Sequence, residues 1–331
     1  MLLIPATDRR AASGAEIAAL LRSGRSIVVT SHVTPDGDAL GSALALRDAV
    51  IRSGGAARVV LDGPRTAAYD FLPDVATIEP PEALAGAPPD VLIAVDCASA
   101  ERFGAVGDHV GPDTLVVNID HHASNTRFGH WNWIDPEAAA TGEMLVELLD
   151  GHGFEISAAA ALDLYVAILT DTGRFSYSNT RPRSLRAAAR LLDVGIDPDV
   201  AARPFRSVPV ARMRLNTLLF SSLRWAAEGR IAIGVVTRAL CAEAGVALRD
   251  ANDLIDLPAS LEGVELAALA RETEDPTRTK VSLRSRGSLS IDEIASREGG
   301  GGHPKAAGFT FAGGVNEAAD HVQAALEELL A

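Results

Sequence analysis

The sequence predicts an α/β protein in which a parallel sheet with flanking helices is followed by a smaller α/β domain. Short, uninterrupted apolar runs such as Val91–Val95 alternate with alanine- and leucine-rich stretches through the first half of the chain. Such runs indicate parallel strands that are covered on both faces. Hydrophobic residues make up 47% of the 331 residues, which is enough for about two domains with packed cores.

The first domain is predicted over residues 1–195, because Gly195-Ile196-Asp197-Pro198 has the composition of a helix end and a turn. Its predicted strands are Ser26–Thr30, Arg58–Leu61, Val91–Val95 and Leu115–Ile119. A helix over residues 38–53 follows the first strand, with apolar positions at Leu40, Leu44, Val50 and Ile51. Three more helices are predicted over residues 137–150, 157–170 and 183–193.

The rest of the chain is predicted to form a helical linker over residues 196–224 and a second domain over residues 225–331. Helix-forming residues of the linker are mixed with Pro204 and Pro209. The second domain is predicted to begin with a strand over residues 230–237 and helices over residues 238–244 and 252–258. A strand pair over residues 264–271 and 279–284 is expected around the turn Glu274-Asp275-Pro276.

Charge and composition exclude several classes of protein. The net charge of −14 and the pI of about 5.0 argue against a protein that grips many phosphates of a long nucleic acid. A small phosphorylated substrate in one local basic pocket remains compatible with them. No apolar run approaches the ~20 residues that span a bilayer, and no secretory signal is recognisable, so we expect a cytoplasmic protein without a membrane partner. Cys97 and Cys241 lie in unrelated contexts, which excludes a disulfide scaffold or a cysteine-built zinc site.

Acidic and histidine residues follow three of the predicted strands at the point where each ends. The first strand runs into Ser-His32-Val-Thr-Pro-Asp36-Gly-Asp38, the third into Asp96, and the fourth into Asp120-His121-His122. Because the carboxyl ends of parallel strands meet at one edge of a sheet, these side chains should lie close together. Crowded carboxylates repel one another unless they are protonated or neutralised, so the pattern predicts divalent cations.

Two such ions need roughly six ligands, commonly with one bridging carboxylate. Histidine and aspartate ligands without cysteine suit manganese, iron or zinc better than calcium. The four aspartates of the candidate set would balance the charge of two divalent ions. The candidate ligands are His32, Asp36, Asp38, Asp96, His121 and Asp171.

Taken in order, these motifs resemble those of the DHH phosphoesterase family. The three strand-end motifs are followed along the chain by Thr170-Asp171-Thr172-Gly173, which resembles the fourth motif of that family. Glu298-Gly-Gly-Gly-Gly-His303-Pro304 resembles the glycine-rich signature of the DHH-associated second domain. The resemblance covers essentially the whole chain, and it implies an active site in the cleft between a DHH domain and a substrate-binding domain.

The resemblance also implies roles for individual residues. One metal ion would be held by His32, Asp36 and Asp96, and the other by Asp38, Asp96, His121 and Asp171, with Asp96 bridging the two. Asp120 would orient its neighbours, and His122 would face the scissile phosphate. The residues that would bind the nucleotide portion of the substrate are Arg284, Gly300, Gly301, Gly302 and His303.

The two-domain length resembles that of the nanoRNases that are also 3′-phosphoadenosine-5′-phosphate (PAP) phosphatases. This resemblance implies hydrolysis of very short RNA or dinucleotides such as pGpG and pApA, together with PAP. Related members also hydrolyse cyclic di-AMP. Two divalent metal ions, with manganese preferred, and a homodimer formed through the first domain are implied as well.

Three other functions are compatible with parts of the sequence. A RecJ-like single-strand exonuclease would prefer long substrates and show steep salt dependence. A small-phosphate hydrolase resembling pyrophosphatase would have no use for the glycine run with Arg284 and His303. A nucleotide-binding sensor without turnover would be favoured if metal ligands were missing, whereas all six candidates are present.

Overall fold

The computed structural model describes residues 4–63, 67–206, 208–251 and 254–330. Tertiary contacts divide the chain into two compact units, Met1–Ser207 and Val208–Ala331. The strands described in the first unit are Arg10–Ala11 (β1), Ser26–Thr30 (β2), Ala56–Val59 (β3), Val91–Val95 (β4), Leu115–Asp120 (β5) and Trp131–Ile134 (β6). Its α-helices are Gly14–Leu21 (α1), Gly37–Arg52 (α2), Thr141–Gly151 (α3), Ala158–Asp171 (α4), Pro182–Asp193 (α5) and Pro198–Arg206 (α6).

The strands of the first unit form one sheet in the order β1-β6-β5-β4-β2-β3. Every pairing in it is parallel, so the predicted parallel sheet is confirmed. Alternate residues of β2 and β4 point to opposite faces, and both faces are buried. Val29 and Ile93 pack with the helices on one side, while Val28 and Leu92 pack on the other with Phe103 of the 3₁₀ segment Ala100–His109.

Two predicted boundaries in the first unit are wrong. The predicted helix over residues 137–150 begins only at Thr141 as α3. Asp135 explains the late start, because its side chain accepts a hydrogen bond from the Glu137 N–H and its carbonyl accepts one from Ala138, which forms a turn. The strand predicted over residues 58–61 starts at Ala56 and ends at Val59, after which Val60 makes only an isolated bridge to Glu79.

The second unit contains a mixed sheet in the order β11-β12-β10-β9-β8-β7. Only the β8–β9 pair is parallel among its described pairings. The strands are Arg224–Ala226 (β7), Ile231–Val236 (β8), Leu266–Glu272 (β9), Arg278–Ser285 (β10), Gly301–His303 (β11) and Ala306–Ala312 (β12). The described α-helices of this unit are Val210–Ser221 (α7), Arg238–Ala244 (α8), Asp256–Ala259 (α9), Asp292–Arg297 (α10) and Val315–Leu330 (α11).

The two faces of this second sheet are covered differently. On one face Val281 and Leu283 of β10 pack with α10 and α11. On the other face Leu269 of β9 packs with Leu215 and Leu219 of α7. The antiparallel β9–β10 pair was predicted, and it is confirmed.

The helix predicted over residues 252–258 is wrong in its bounds. Residues 252 and 253 lie outside the described residues, and α9 is a single turn from Asp256 to Ala259 that contains Pro258. The predicted linker contributes one helix to each unit, with α6 packing in the first unit through Phe205 against Tyr69. Residue 207 of that linker is also outside the described part. Among the helices that the structure describes, none is long and apolar enough to cross a membrane.

Candidate metal centre

The predicted ligands meet at one edge of the first sheet. Strands β2, β4 and β5 are neighbours in that sheet, so the residues that follow them share its carboxyl edge. Helix α4 brings a further carboxylate to this edge at its last residue, Asp171. Ligand atoms of the six candidates fall into two groups, each compact enough for one ion, with one further carboxylate–histidine cluster beside them.

The first group contains His32, Asp36 and Asp96. His32 Nε2 lies 3.5 Å from Asp96 Oδ2 and 3.9 Å from Asp36 Oδ1. Asp36 is the N-cap of α2, and its Oδ1 accepts hydrogen bonds from the backbone N–H groups of Asp38 and Ala39. The Pro-Asp-Gly-Asp segment therefore ends the loop after β2 and starts the next helix while directing a carboxylate towards His32.

The second group contains Asp38, His121 and Asp171. His121 Nε2 lies 3.1 Å from Asp171 Oδ2 and 3.8 Å from Asp38 Oδ2. Asp38 is fully buried, and it accepts hydrogen bonds from the first backbone N–H groups of α3, Thr141 (2.7 Å) and Gly142 (2.8 Å). A helix N-terminus stabilises a carboxylate, so α3 holds Asp38 in place beside His121.

Asp96 lies between the two groups. Its Oδ2 faces His32, while its Oδ1 lies 3.5 Å from His121 Nε2. Asp96 is 2% exposed and has a left-handed backbone with φ of 53°. Such a conformation costs a non-glycine residue about 1–3 kcal/mol and is commonly retained where function requires it. One carboxylate is thus directed at both groups, which is the arrangement expected of a bridging ligand.

Asp120 and His122 form a hydrogen-bonded pair beside these groups. His122 Nδ1 lies 2.8 Å from Asp120 Oδ1, and Asp120 is fully buried. Asn125 Nδ2 donates to Asp120 Oδ2 at 2.6 Å and to Asn118 Oδ1 at 2.8 Å. The sequence reasoning missed Asn125, although a polar side chain three residues after the histidine pair, in a turn, was a usable signal.

The electrostatics of the site favour cations. Burial and the neighbouring Asp96 raise the pKa of Asp36, and burial together with Asp96 and Asp171 raises the pKa of Asp38 well above its usual range. Burial would lower the pKa of His121, but the Asp171 and Asp96 carboxylates outweigh it and raise that pKa to about 12. Without metal ions, protons would have to neutralise this crowd of carboxylates.

Unpartnered buried atoms give an independent test of the fit to metal ions. His32 Nδ1, His121 Nε2 and Asp96 Oδ1 are buried and have no hydrogen-bond partner among the described residues. A buried polar atom without a partner costs about 1–3 kcal/mol. Coordination of a divalent ion would satisfy His121 Nε2 and Asp96 Oδ1, which face the shared space. The residues present therefore fit a histidine–carboxylate metal centre.

Tyr69 is a second residue that the sequence reasoning missed. It lies in the 3₁₀ turn Ala67–Tyr69 and packs against Phe205 of α6, with ring centroids 5.8 Å apart and the rings tilted by 57°. Burial and the nearby Asp36 raise the pKa of its hydroxyl to about 12. The hydroxyl therefore keeps its proton at neutral pH beside the carboxylates. No spacing or motif in the sequence singles this tyrosine out.

The predicted substrate residues lie together on the second unit. Arg284 of β10 is paired with Ala306 of β12, which in turn is paired with His303 of β11. His303 is exposed, and Arg284 Nε lies 3.2 Å from Asp256 Oδ1. Both side chains therefore stand on the same face of the sheet, on the strands that flank β12.

The three glycines of the predicted substrate site differ in whether their surroundings would allow a side chain. A Cβ at Gly300 would come within 2.2 Å of the Gly308 carbonyl, and one at Gly302 within 2.5 Å of the Ala306 carbonyl. Close packing against β12 thus requires glycine at both. At Gly301 no atom lies within 4 Å of such a Cβ. Of the three glycines, only this one therefore has open space where a side chain would be.

Comparison with known proteins gives two domain matches. The DHH family N-terminal domain matches residues 26–170, and the DHHA1 domain matches residues 230–331. The chain is 39% identical to the bifunctional oligoribonuclease and PAP phosphatase NrnA of Thermus thermophilus, over 92% of this chain and 90% of that protein. It is 27% identical to the protein of the same name from Bacillus subtilis, over 92% and 94% of the two chains.

A solved structure gives a similar result for the fold. The crystal structure of an exopolyphosphatase-related protein from Bacteroides fragilis superposes with a TM-score of 0.83 at 25% sequence identity. The match covers 95% of each chain.

Proposed function

The chain belongs to the DHH family, with a DHHA1 domain after the DHH domain, and from that membership we propose that it hydrolyses oligoribonucleotides of a few residues, dinucleotides and PAP. It is a hydrolase of phosphoester bonds and depends on metal ions. The single observation that carries the finer proposal is the position of Asp96, whose two oxygens face two separate histidine–carboxylate groups.

We propose that the site holds two divalent ions. His32, Asp36 and Asp96 would hold one, and Asp38, Asp96, His121 and Asp171 the other. Such a pair, when bound, supplies a water of lowered pKa as nucleophile and neutralises charge on the phosphoryl oxygens. Manganese suits this mixed set of imidazole and carboxylate donors.

The protein's own contribution is to position groups around the phosphate. Asp120 accepts a hydrogen bond from His122 Nδ1, so the proton of the imidazole is held at Nδ1 and Nε2 is directed away from Asp120. The side chain of His122 is about one-third exposed, so a substrate can reach the imidazole. The Asp120 carboxylate raises the pKa of His122 and so favours a second proton, at Nε2. This imidazolium would stabilise charge on a phosphoryl oxygen or donate the Nε2 proton to the leaving group.

The preference for short substrates is supported by the net charge of the chain and by the names of the similar proteins. The net charge of −14 disfavours a long polyanion, and the similar proteins are named as oligoribonucleases and PAP phosphatases. We propose that Arg284, His303 and the glycines of β11 bind the nucleotide portion, while the first unit carries the metal ions. We also expect a homodimer, which light scattering coupled to size-exclusion chromatography would test.

One substrate panel separates this proposal from its rivals. Purified protein loaded with manganese should hydrolyse pApA, pGpG and PAP, and should act only weakly on pyrophosphate and on a 24-mer RNA. Comparable rates on the 24-mer and the dinucleotides would favour a RecJ-like exonuclease, and a preference for pyrophosphate would favour a small-phosphate hydrolase. Binding without turnover of any substrate would favour a sensor. Cyclic di-AMP belongs in the same panel, because its linear product pApA is an expected substrate.

Metal number and identity need a separate measurement. Protein stripped with chelator and reloaded with one metal at a time should bind about two ions per chain. We expect manganese to restore the highest activity. One ion per chain at saturation, or full activity in excess chelator, would contradict the two-metal proposal.

A further inference from the structure

Strand β10 carries a row of positive charge of which the site described above uses only Arg284. Residues at alternate positions of a strand point to the same face and lie about 6.6 Å apart. Arg278, Lys280 and Arg284 share one face of β10 with Ser282, while Val281 and Leu283 point into the core. The row therefore runs from the predicted nucleotide subsite at Arg284 along the full length of the strand.

Of the two strands beside β10, β12 leaves this row open, whereas on β9 Lys280 is paired with another cation, Arg271. On β12, Lys280 is paired with Thr310, Ser282 with Gly308 and Arg284 with Ala306. These partners are small, so they cover little of the face. A cavity of about 440 Å³ opens beside Arg278 and Lys280, and Gly299, Gly300, Gly308 and Thr310 line it as well. The predicted substrate residue Gly300 thus borders the same cavity as Lys280.

Arg278 and Lys280, the two cations of the row that lie farther from the proposed nucleotide site, have no ion-pair partner within the described parts of the chain. Arg278 and Lys280 make no side-chain hydrogen bond there either, whereas Arg230 is paired with Glu265 and Arg224 with Asp320. The contrast with the chain's other lysine is clear, because Lys305 Nζ donates to the backbone carbonyls of Gly287 and Leu289.

One carboxylate, Glu298, also lines the cavity, but it is already engaged. Its Oε1 lies 2.8 Å from His321 Nε2. Two unpaired cations therefore face one partnered anion. Arg278 also lies near enough to Asp275 to help lower the pKa of that carboxyl, but the two form no ion pair among the described contacts. In a chain of net charge −14, two exposed cations without an ion-pair partner among the described residues indicate a local site for an anion.

We propose that Arg278 and Lys280 form a phosphate subsite for a further nucleotide of an oligonucleotide substrate. The inference rests on the proposed function. It adds that Arg284 and β11 bind every substrate, whereas Arg278 and Lys280 contact only substrates longer than a dinucleotide. The row of side chains is long enough for successive backbone phosphates of an extended strand. The subsite would let the protein accept short oligomers without binding long nucleic acid.

The test compares substrate lengths in variants that lose charge. In the manganese-loaded enzyme, Arg278→Gln and Lys280→Gln should each raise the KM for a pentaadenylate about three- to tenfold, the effect of one exposed charged contact. The KM for pApA and the kcat for both substrates should stay unchanged. The double variant should also reduce the slope of log KM against log salt by about 1.4 for the pentamer, because two phosphate contacts to a single strand are lost.

Arg230→Gln is the control, since it removes an exposed arginine of the same unit, directly before β8. It should change neither KM. If the double variant raised the KM for pApA and for the pentamer equally, these cations would belong to the dinucleotide site, and the proposal of a further subsite would be overturned. No change for either substrate would overturn it as well.

The proposed function and the subsite can fail separately. If wild-type protein cleaved neither substrate, the proposed function would fail, yet the subsite would still be tested by binding. Fluorescein-labelled penta- and diadenylate, titrated in excess chelator and followed by anisotropy, should then show a length preference that the double variant loses. Equal affinity of the wild-type protein for both lengths would overturn the subsite.

Discussion

Among the described residues of the candidate metal centre, Asp120 and His122 form the shortest contact between a histidine and a carboxylate, with 2.8 Å between Oδ1 and Nδ1. The other oxygen of Asp120 accepts the amide of Asn125 at 2.6 Å. Both carboxylate oxygens are thus occupied by donors from the loop that follows β5. These contacts support the proposal that Asp120 orients His122.

The first prediction concerns this pair. Asp120→Asn should lower kcat about 10- to 100-fold, because partners that orient an active-site histidine have effects of that size. His122→Ala should lower it about 10²- to 10⁴-fold. Since Asp120 acts through His122, the double variant should be no slower than His122→Ala alone. Steady-state kinetics with pApA measure these values, and additive losses would show that Asp120 has a separate role.

The second prediction concerns Asp96. Asp96→Ala should abolish turnover and lower the number of bound manganese ions, because its oxygens face both ligand groups. Calorimetry of manganese binding and hydrolysis of pApA measure the two effects, and circular dichroism checks that the fold is kept. The exposed Asp113 provides the control variant Asp113→Ala. Retention of more than about a tenth of the activity would remove the two-metal mechanism.

The sequence predicts the first sheet well because its strands are buried on both faces. Val91–Val95 is apolar throughout and is β4 in the structure. Strand β6 was missed although Trp131-Asn132-Trp133-Ile134 alternates aromatic and polar residues as strands do, because the run is only four residues long. The predicted ligands that follow β2, β4 and β5 lie together because these parallel strands are neighbours, whereas Asp171 reaches the same edge from the end of α4.

Features that depend on tertiary contacts were not predictable. The glycine run has no side-chain pattern that predicts a strand, yet Gly301–His303 pairs with β12 through backbone hydrogen bonds. The support of Asp38 by the N-terminus of α3 joins residues more than a hundred positions apart. The pairing of Arg284 with Asp256 likewise has no local signature.

The third prediction concerns the packing of α2 against α4, which carry Asp38 and Asp171. A Cβ at Gly41 would lie 2.2 Å from the Asp163 carbonyl. Gly41→Ala should therefore destabilise the protein by about 1–3 kcal/mol, despite the higher helix propensity of alanine. Gly151→Ala is the control, because no atom lies within 4 Å of its Cβ, and it should be neutral or slightly stabilising. Thermal unfolding measures both, and equal melting temperatures would contradict this packing.

The fourth prediction concerns the division of work between the two units. Arg284→Ala should raise the KM for dinucleotides by about one to two decades, because a charged phosphate contact contributes about 1.5–3 kcal/mol. His303→Ala should act in the same direction. Neither should weaken manganese binding, since the candidate ligands belong to the first unit. A loss of manganese affinity as large as that of Asp96→Ala, or unchanged dinucleotide kinetics, would contradict this division.

The fifth prediction concerns the pH dependence of stability through Asp163 of α4. This side chain is 2% exposed, and its Oδ1 has no hydrogen-bond partner among the described residues. Burial, with smaller contributions from Asp48 and Asp74, raises its pKa well above the usual range. A carboxyl whose pKa is higher in the folded than in the unfolded state contributes stability below the unfolded value of about 3.9, and this contribution is lost as the pH rises through the folded value.

Asp163→Asn removes this titration while keeping the shape of the side chain. The variant should therefore melt at a higher temperature than the wild type at pH 8, and the difference should shrink as the pH is lowered towards 5. Thermal unfolding in excess chelator measures the difference without a contribution from metal binding. Asp193→Asn, at an exposed position of α5, should show no such trend. A difference that is constant with pH, or that grows towards pH 5, would mean that Asp163 is not the buried, protonated carboxyl inferred from its surroundings.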